Sequence, residues 1–287
     1  MSNKKYSTII ITSEKTSFIL PTFFHLVEKY WSENFFYISG DGDDNFNFKN
    51  SKYIKRDSSD IKKWTTDIKK QIDKIDSEYI IFGLDDFLII DKFNEVTLDI
   101  FIKEMDLDNS RVRCSLGADF SCMKNFIYKK INDTDLISVP SNISYRCSTQ
   151  FSIWRKDFLS QILSKNRSPW EFEMEVSSEL SGNNSIKMLG TLNNFCLRWI
   201  EESANSSSLG KNNLNVLGLS LKDINEIIDA GLLSKDRLQF GYDKYWNDSN
   251  AIKFIDKKDF TLKDLKNKCH ESVYQVLEKK YGFNYLK

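Results

Sequence analysis

Tyr79-Ile-Ile-Phe-Gly-Leu84 runs straight into Asp85-Asp86. Six uncharged residues, rich in β-branched and aromatic side chains, predict a strand buried on both faces. Two adjacent carboxylates then end it. That abrupt change fits a strand of a parallel sheet whose carboxyl end faces a ligand crevice.

Two similar runs lie upstream. Thr8-Ile-Ile-Ile-Thr12 is followed by the polar loop Ser13-Glu-Lys-Thr-Ser17, and Phe35-Phe-Tyr-Ile-Ser39 is stopped by Gly40-Asp-Gly-Asp-Asp44. Between them Pro21 suits the first turn of a helix to about Trp31, with Phe23, Phe24, Val27 and Trp31 at helical spacing. After them Ser58 or Ser59 can cap a helix carrying Ile61, Trp64, Ile68, Ile72 and Ile75 on one face. The order strand–helix–strand–helix–strand predicts an α/β chain with a mostly parallel, doubly wound sheet flanked by helices. Ligands of such sheets sit beyond the carboxyl ends of the strands. Thr12, Ser13, Asp41, Asp85 and Asp86 all fall at that edge.

Beyond Asp86 the pattern changes. Phe93 to Met105 reads as a helix, and Arg111–Ser115 and Ser144–Ile153 as strands of a smaller mixed region. Trp154–Leu163 reads as helical, Pro169 opens a helix to about Leu180, and Ser203–Asn213 reads as a loop. Leu221–Ala230 is a short helix ended by Gly231. Thr261–Tyr281 has the apolar spacing of a further helix. The expected organisation is a main domain over 1–238 and a helical extension over 239–287.

The 287 residues are enough for one large α/β domain with a small appendage. Lys+Arg and Asp+Glu are equal at 41 each, so no global field invites nucleic acid or an anionic membrane. Five cysteines without a C-x-x-C pair, and two histidines without ligand spacing, argue against a disulfide framework and a zinc site. The chain shows no signal-peptide core or membrane span, so the expected location is cytoplasmic. The lysine-rich face of the tail helix could rest on the inner face of a membrane as a peripheral contact.

Asp85-Asp86 is the sharpest chemical feature. Like charges that close repel by several kcal/mol at an effective dielectric of about 20. Mg²⁺ or Mn²⁺ relieves the repulsion, and prefers one or two carboxylates together with substrate phosphates. A solvated turn is the plainer reading. Asp41 stands in an acidic turn that lacks the bidentate Glu of an EF-hand loop, but its place at a strand end puts it within reach of a ligand. In Trp170-Glu171-Phe172-Glu173 the two glutamates lie about 200° apart on a helix, so only one can face a given pocket. One of them could be a general base, and either could simply complement the helix dipole. If Tyr145–Gln150 is extended, Arg146, Ser148 and Gln150 share a face that could line a pocket. Arg111 and Arg113 also share a face and could meet a phosphate. Trp64, on its helix, reads as core.

Four segments occur in a telling order: Trp64; Ile75-Asp-Ser-Glu-Tyr-Ile-Ile-Phe-Gly-Leu-Asp-Asp-Phe-Leu88; Gln150-Phe-Ser-Ile-Trp-Arg-Lys-Asp-Phe-Leu159; and Ser168-Pro-Trp-Glu-Phe-Glu173. Together they resemble bacterial GT-A-like glycosyltransferases of capsule, lipopolysaccharide and O-antigen biosynthesis, over Thr8 to about Arg237. The resemblance implies a divalent metal, Mn²⁺ or Mg²⁺, with Asp86 as direct ligand and Asp85 nearer the ribose or a metal-bound water. It implies nucleotide contacts from Thr12 and Ser13; Trp64 is set on the donor side with them, as is Asp41 from its place at the strand end. Gln150 and Trp154 would line the sugar or acceptor site with Trp170 beside them, and Arg146 joins them through the face it would share with Gln150. Glu173, or else Glu171, would be the base. The donor would be a nucleotide-sugar, a UDP-sugar by default, and the acceptor a glycan or lipid-linked glycan.

The sequence departs from that pattern in places. No acid stands two positions before Asp86, and Arg198 and Lys211 sit in a Ser/Asn-rich stretch where relatives carry a glycine-containing basic segment. Two other readings stay open. One is another metal-dependent nucleotide enzyme, such as a nucleotidyltransferase or phosphohydrolase, although Thr12-Ser-Glu-Lys-Thr16 is no glycine-rich loop. The other is a non-catalytic member that binds glycan or a partner transferase.

Overall fold

The apolar runs form strands β1 (Tyr6–Ile11), β2 (Phe36–Gly40) and β4 (Tyr79–Leu84) of a computed structural model. It describes residues 5–43, 46–117, 126–143, 145–192, 194–197, 199–201, 214–215, 221–232 and 238–239. The helix expected over 261–281, the loop expected over 203–213, Arg198 and Lys211 lie outside these residues. β1 pairs in parallel with β2 on one side and β4 on the other, and β3 (Ser51–Lys55) extends the sheet beyond β2. Helices α1 (Leu20–Tyr30) and α2 (Trp64–Ile72) connect β1 to β2 and β3 to β4.

Side-chain alternation sorts the strand residues into two cores. Ile10, Phe36, Ile38 and Ile81 pack with Phe23, Phe24 and Val27 of α1. Ile9, Ile11, Ile80 and Phe82 pack with Trp64, Ile68 and Ile72 of α2. Burial on both faces explains why these strands read as continuous apolar runs.

The second half is where the sheet departs from expectation. It is mixed, with nine strands in the order β3-β2-β1-β4-β9-β6-β10-β8-β7. Here β5 is Phe87–Ile89, β6 Arg111–Ser115, β7 Ile127–Ile131, β8 Thr134–Val139, β9 Ser152–Arg155 and β10 Lys187–Thr191. β9 lies antiparallel between β4 and β6, and β8 antiparallel between β10 and β7. β5 stands apart, paired antiparallel with β11 (Trp199–Glu201). Helix α3 (Glu95–Asp106) starts at Asn94, whose side chain accepts the Thr97 N–H at 3.0 Å. Helix α4 (Lys156–Ile162) follows β9 directly.

Several boundaries differ from the sequence reading. The strand expected over 144–153 is only Ser152–Arg155, and Trp154 belongs to it rather than to the helix. Residues 145–150 are bends: Tyr145 has φ 55°, and Arg146 turns inward to bond carbonyls. The helix before β4 begins with a 3₁₀ turn, Ile61–Lys63, capped by Asp60 and not by Ser58 or Ser59. The helix from Pro169 is α5 (Pro169–Glu171), a π-helical turn (Phe172–Val176) and α6 (Ser177–Glu179). Helix α7 (Leu221–Asp229) ends before Gly231, whose φ of 68° is the left-handed cap expected of it. Among the described residues no helix is long and apolar enough to cross a membrane.

Candidate functional site

The hydrogen-bond ladder of the parallel strands runs one residue past their ends. Thr12 N–H donates to Ser39 O at 2.8 Å, Asp85 N–H to Ile11 O at 3.1 Å, and Arg56 N–H to Gly40 O at 2.7 Å. Thr12, Gly40, Lys55 and Asp85 are therefore level at the carboxyl edge, with Arg56 one residue beyond. β1 is followed by β2 on one side and β4 lies on the other, so this is the point at which the strand order reverses. Ligands of open α/β sheets bind at such a point.

Asp85 is only 3% exposed. The Thr12 hydroxyl donates to its Oδ2 at 2.5 Å, and the nearby Thr16 hydroxyl also favours its charged form. Burial pushes the carboxyl up to about 6, against the pull of both hydroxyls and of the Arg56 charge. Thr16 is delivered by a turn that begins at Ser13: Ser13 N–H donates to Thr16 Oγ1 at 3.1 Å, and the two hydroxyl oxygens are 3.0 Å apart. Asp86 follows, half-buried, at the turn into β5.

Asp41 holds that turn from the other side. Its Oδ1 accepts the Glu14 N–H at 2.7 Å, and its Oδ2 lies 3.2 Å from Arg56 Nη2. Arg56 Nη1 also donates to Thr12 O at 2.8 Å and Ser39 O at 3.0 Å. One buried guanidinium thus ties the ends of β1 and β2 to Asp41. The sequence reading missed Arg56. Its only signal is its place after Ser51-Lys-Tyr-Ile-Lys55, a strand too polar to announce itself.

Across β4 the antiparallel β9 brings a second group to the same edge. Phe82 pairs with Ser152. The bends before Ser152 carry Gln150 and Phe151 past this last pair, with the Phe151 ring against Gly83. Gly83 allows the approach, because a Cβ there would run into the buried ring of Phe151. Thr149, next to Gln150, donates both its N–H (2.6 Å) and its hydroxyl (2.8 Å) to Glu173 Oε1. The half-buried Glu173 is in the π-helical turn.

The remaining candidates lie elsewhere. Glu171 is exposed and works in a capping box, accepting the Ser168 N–H at 2.8 Å while Ser168 Oγ accepts the Glu171 N–H. The bond from Ser168 holds its carboxyl below the usual range. Trp64 is buried, with ring centroids 6.0 Å from Phe82 and 6.1 Å from Phe172. Trp154 is fully buried between Arg113, 5.3 Å from its ring, and Phe158. Arg146 is buried and donates to Leu180 O and Ile186 O. The last three are all buried in the core of the protein. Arg111 pairs with Glu104, and Arg113 donates to Arg146 O and Ser148 Oγ, so neither faces an open phosphate site. Trp170 is 67% exposed.

Among the described residues no three His, Cys, Asp or Glu side chains converge as a metal cluster. Asp85 and Asp86 nevertheless offer hard carboxylate oxygens of the number Mg²⁺ or Mn²⁺ takes when water and phosphate fill the other positions.

No protein-family model and no curated protein matches the chain. Among solved structures it is similar to S. aureus TarS, at 17% identity and a TM-score of 0.43, covering 65% of this chain and 35% of that one. It is also similar to S. aureus TarS 1-349 in complex with UDP, at 12% identity and a TM-score of 0.45, covering 99% of this chain and 73% of that one. A cytidylyltransferase from Leptospira borgpetersenii gives 12% identity and a TM-score of 0.43, covering 80% of this chain and 97% of that one.

Proposed function

We propose that the chain is a glycosyltransferase that moves a sugar from a nucleotide-diphosphate sugar, by default a UDP-sugar, to a hydroxyl of a surface-glycan acceptor. One observation carries the reading. Thr12, Asp41 and Asp85-Asp86 gather where the strand order reverses, and the Glu173 carboxylate is tied to the chain that meets this edge from β9.

In this reading the nucleotide lies along Thr12, Ser13 and Asp41. Asp86, with Asp85, would hold Mn²⁺ or Mg²⁺, which when bound supplies positive charge to the departing diphosphate. Gln150 stands at the same edge to meet the sugar, and the exposed ring of Trp170 offers an apolar face to the acceptor. In an inverting transfer the acceptor oxygen bonds to the anomeric carbon as the bond to the diphosphate breaks. The electron pair of that bond leaves with the diphosphate, and Glu173 takes the acceptor's proton. Glu173 is preferred to Glu171 because the Glu171 carboxylate already serves the helix start.

A thermal-shift panel of UDP-, GDP-, CMP- and dTDP-sugars, with and without Mn²⁺, tests the proposal on wild type and Asp86→Ala. A ligand at a hundredfold over its Kd adds about 2.7 kcal/mol of stability. The expected result is a metal-dependent shift for one nucleotide, absent from a variant that is itself folded. No shift with any donor sinks the reading. Release of pyrophosphate, in place of a nucleoside diphosphate and a glycoside, would move it to nucleotidyl transfer.

A further inference from the structure

We infer that Thr149 is a positioning residue for Glu173, fixing one carboxylate oxygen so that the other is presented to the acceptor hydroxyl. The inference rests on the reading of Glu173 as the base.

The first support is how the two bonds are arranged. Backbone N–H and side-chain O–H of one residue both end on Oε1, at 2.6 and 2.8 Å. Oε2 takes no hydrogen bond from any described residue. Two donors converging on one oxygen fix the plane of the carboxylate as well as its place, which a single bond does not. A base held this way reaches its proton from a set direction.

The second support is that the segment carrying Thr149 is held on both sides of it. The run from Arg146 to Gln150 is not regular structure, yet the residues flanking Thr149 are hydrogen-bonded to their surroundings. Ser177 Oγ accepts the Cys147 N–H at 2.9 Å and donates to Cys147 O at 3.3 Å. Arg113 donates to Arg146 O and to Ser148 Oγ. Ser152 Oγ donates to Gln150 O at 2.9 Å. Arg146, Ser148 and Thr149 are buried. A catalytic constellation needs this kind of support to hold its geometry.

The third support is the π-helical turn. Phe172 and Val176 are both buried, at either end of it. The wider turn changes the direction in which Glu173 leaves the helix relative to an α-helical continuation from Ser168. π-helical turns recur at functional sites.

The test uses the full chain as Thr149→Val, Thr149→Ser, Glu173→Gln and the double variant Thr149→Val/Glu173→Gln. Valine keeps the shape and the N–H but removes the hydroxyl. We expect Thr149→Val to lower kcat by about tenfold or more with donor KM unchanged, and Thr149→Ser to restore it. The double variant should be no slower than Glu173→Gln alone, since the hydroxyl acts only through that carboxylate. Full kcat in Thr149→Val, or losses that multiply in the double variant, overturn the inference. A purely structural role would lower stability in Thr149→Val without splitting kcat from KM. If the wild type makes no glycoside with any donor, the transferase reading falls on its own. The placement is then read by hydrogen exchange at the Thr149 amide, which should quicken in a folded Glu173→Ala variant. An unchanged exchange rate overturns it.

Discussion

Thr12 and Asp85 are 73 residues apart in sequence, and the hydroxyl of one donates to the carboxylate of the other at 2.5 Å across the ends of adjacent parallel strands. Asp85 is held up to about 6 chiefly by burial, while in the unfolded chain it titrates near 3.8. The folded form therefore keeps its proton to higher pH than the unfolded form. Stability falls as pH rises through the interval between those values, by roughly 2–3 kcal/mol for this group alone. Asparagine can accept the same Thr12 bond and does not titrate. Asp85→Asn should thus exceed wild type by roughly 2 kcal/mol at pH 7.5, with the gain shrinking toward pH 4. Urea unfolding of both proteins at several pH values measures the difference. A gain that does not vary with pH would show that burial of the charge is not its source.

Arg56 bears on the same edge from β3. Its guanidinium bonds Thr12 O and Ser39 O and pairs with Asp41, with only 4% of its side chain exposed. Arg56→Met leaves two carbonyls and a carboxylate facing an apolar side chain. Breaking a buried pair on one side costs about 3–5 kcal/mol. Asp41 keeps some exposure, so the lower end applies. Denaturant unfolding should show a loss of about 3 kcal/mol, and Arg56→Lys should recover only part of it because a lysine cannot fork to several acceptors. A variant as stable as wild type would mean the strand ends hold their register unaided.

The sequence made one half of the molecule plain and hid the other, for physical reasons. β1, β2 and β4 are covered on both faces by α1, α2 and their neighbours, so their composition alone announced them. The edge strand β7 reads Ile127-Tyr-Lys-Lys-Ile131 and is mostly exposed, which leaves no apolar run to find. β3 is hidden in the same way by its two lysines. Thr12, Asp41 and Asp85 were legible as site candidates because a parallel sheet fixes where strand ends go. Trp154 and Arg146 were not legible as core. A tryptophan and an arginine beside a polar run look like a ligand surface until the run bends and Arg146 finds the carbonyls of Leu180 and Ile186. The pair of hydrogen bonds from Thr149 to Glu173 links residues 24 apart through an irregular segment, and no local pattern encodes it.

Gly83 gives a test of how closely β9 must approach. The space a Cβ would need is taken by the ring of Phe151, which is fully buried. Gly83→Ala should cost about 1–3 kcal/mol through overpacking. Because Phe151 adjoins Gln150, the same change should also move the β9 end of the site. Paired unfolding and donor-binding measurements on Gly83→Ala check both effects. Wild-type stability in the variant would mean that β4 and β9 can separate to admit the methyl group.

The two glutamates of Trp170-Glu171-Phe172-Glu173 can be told apart by what each now does. Glu171 accepts the Ser168 N–H at the helix start, and that bond lowers its carboxyl in the folded state. A lowered carboxyl stabilises above its unfolded value of 4.5 and loses that contribution as pH falls through the folded value. Gln can still accept at the third helical position of a capping box. Glu171→Gln should therefore flatten the acid limb of the stability profile slightly and leave turnover within about twofold. Glu173→Gln keeps an oxygen for Thr149 but cannot take a proton. It should lower kcat by about a hundredfold or more, the usual worth of a general base, with donor binding intact. Steady-state kinetics with donor titrations on both variants decide the matter. If turnover collapses in Glu171→Gln and survives in Glu173→Gln, the base is Glu171, and the capping box must open in the working enzyme.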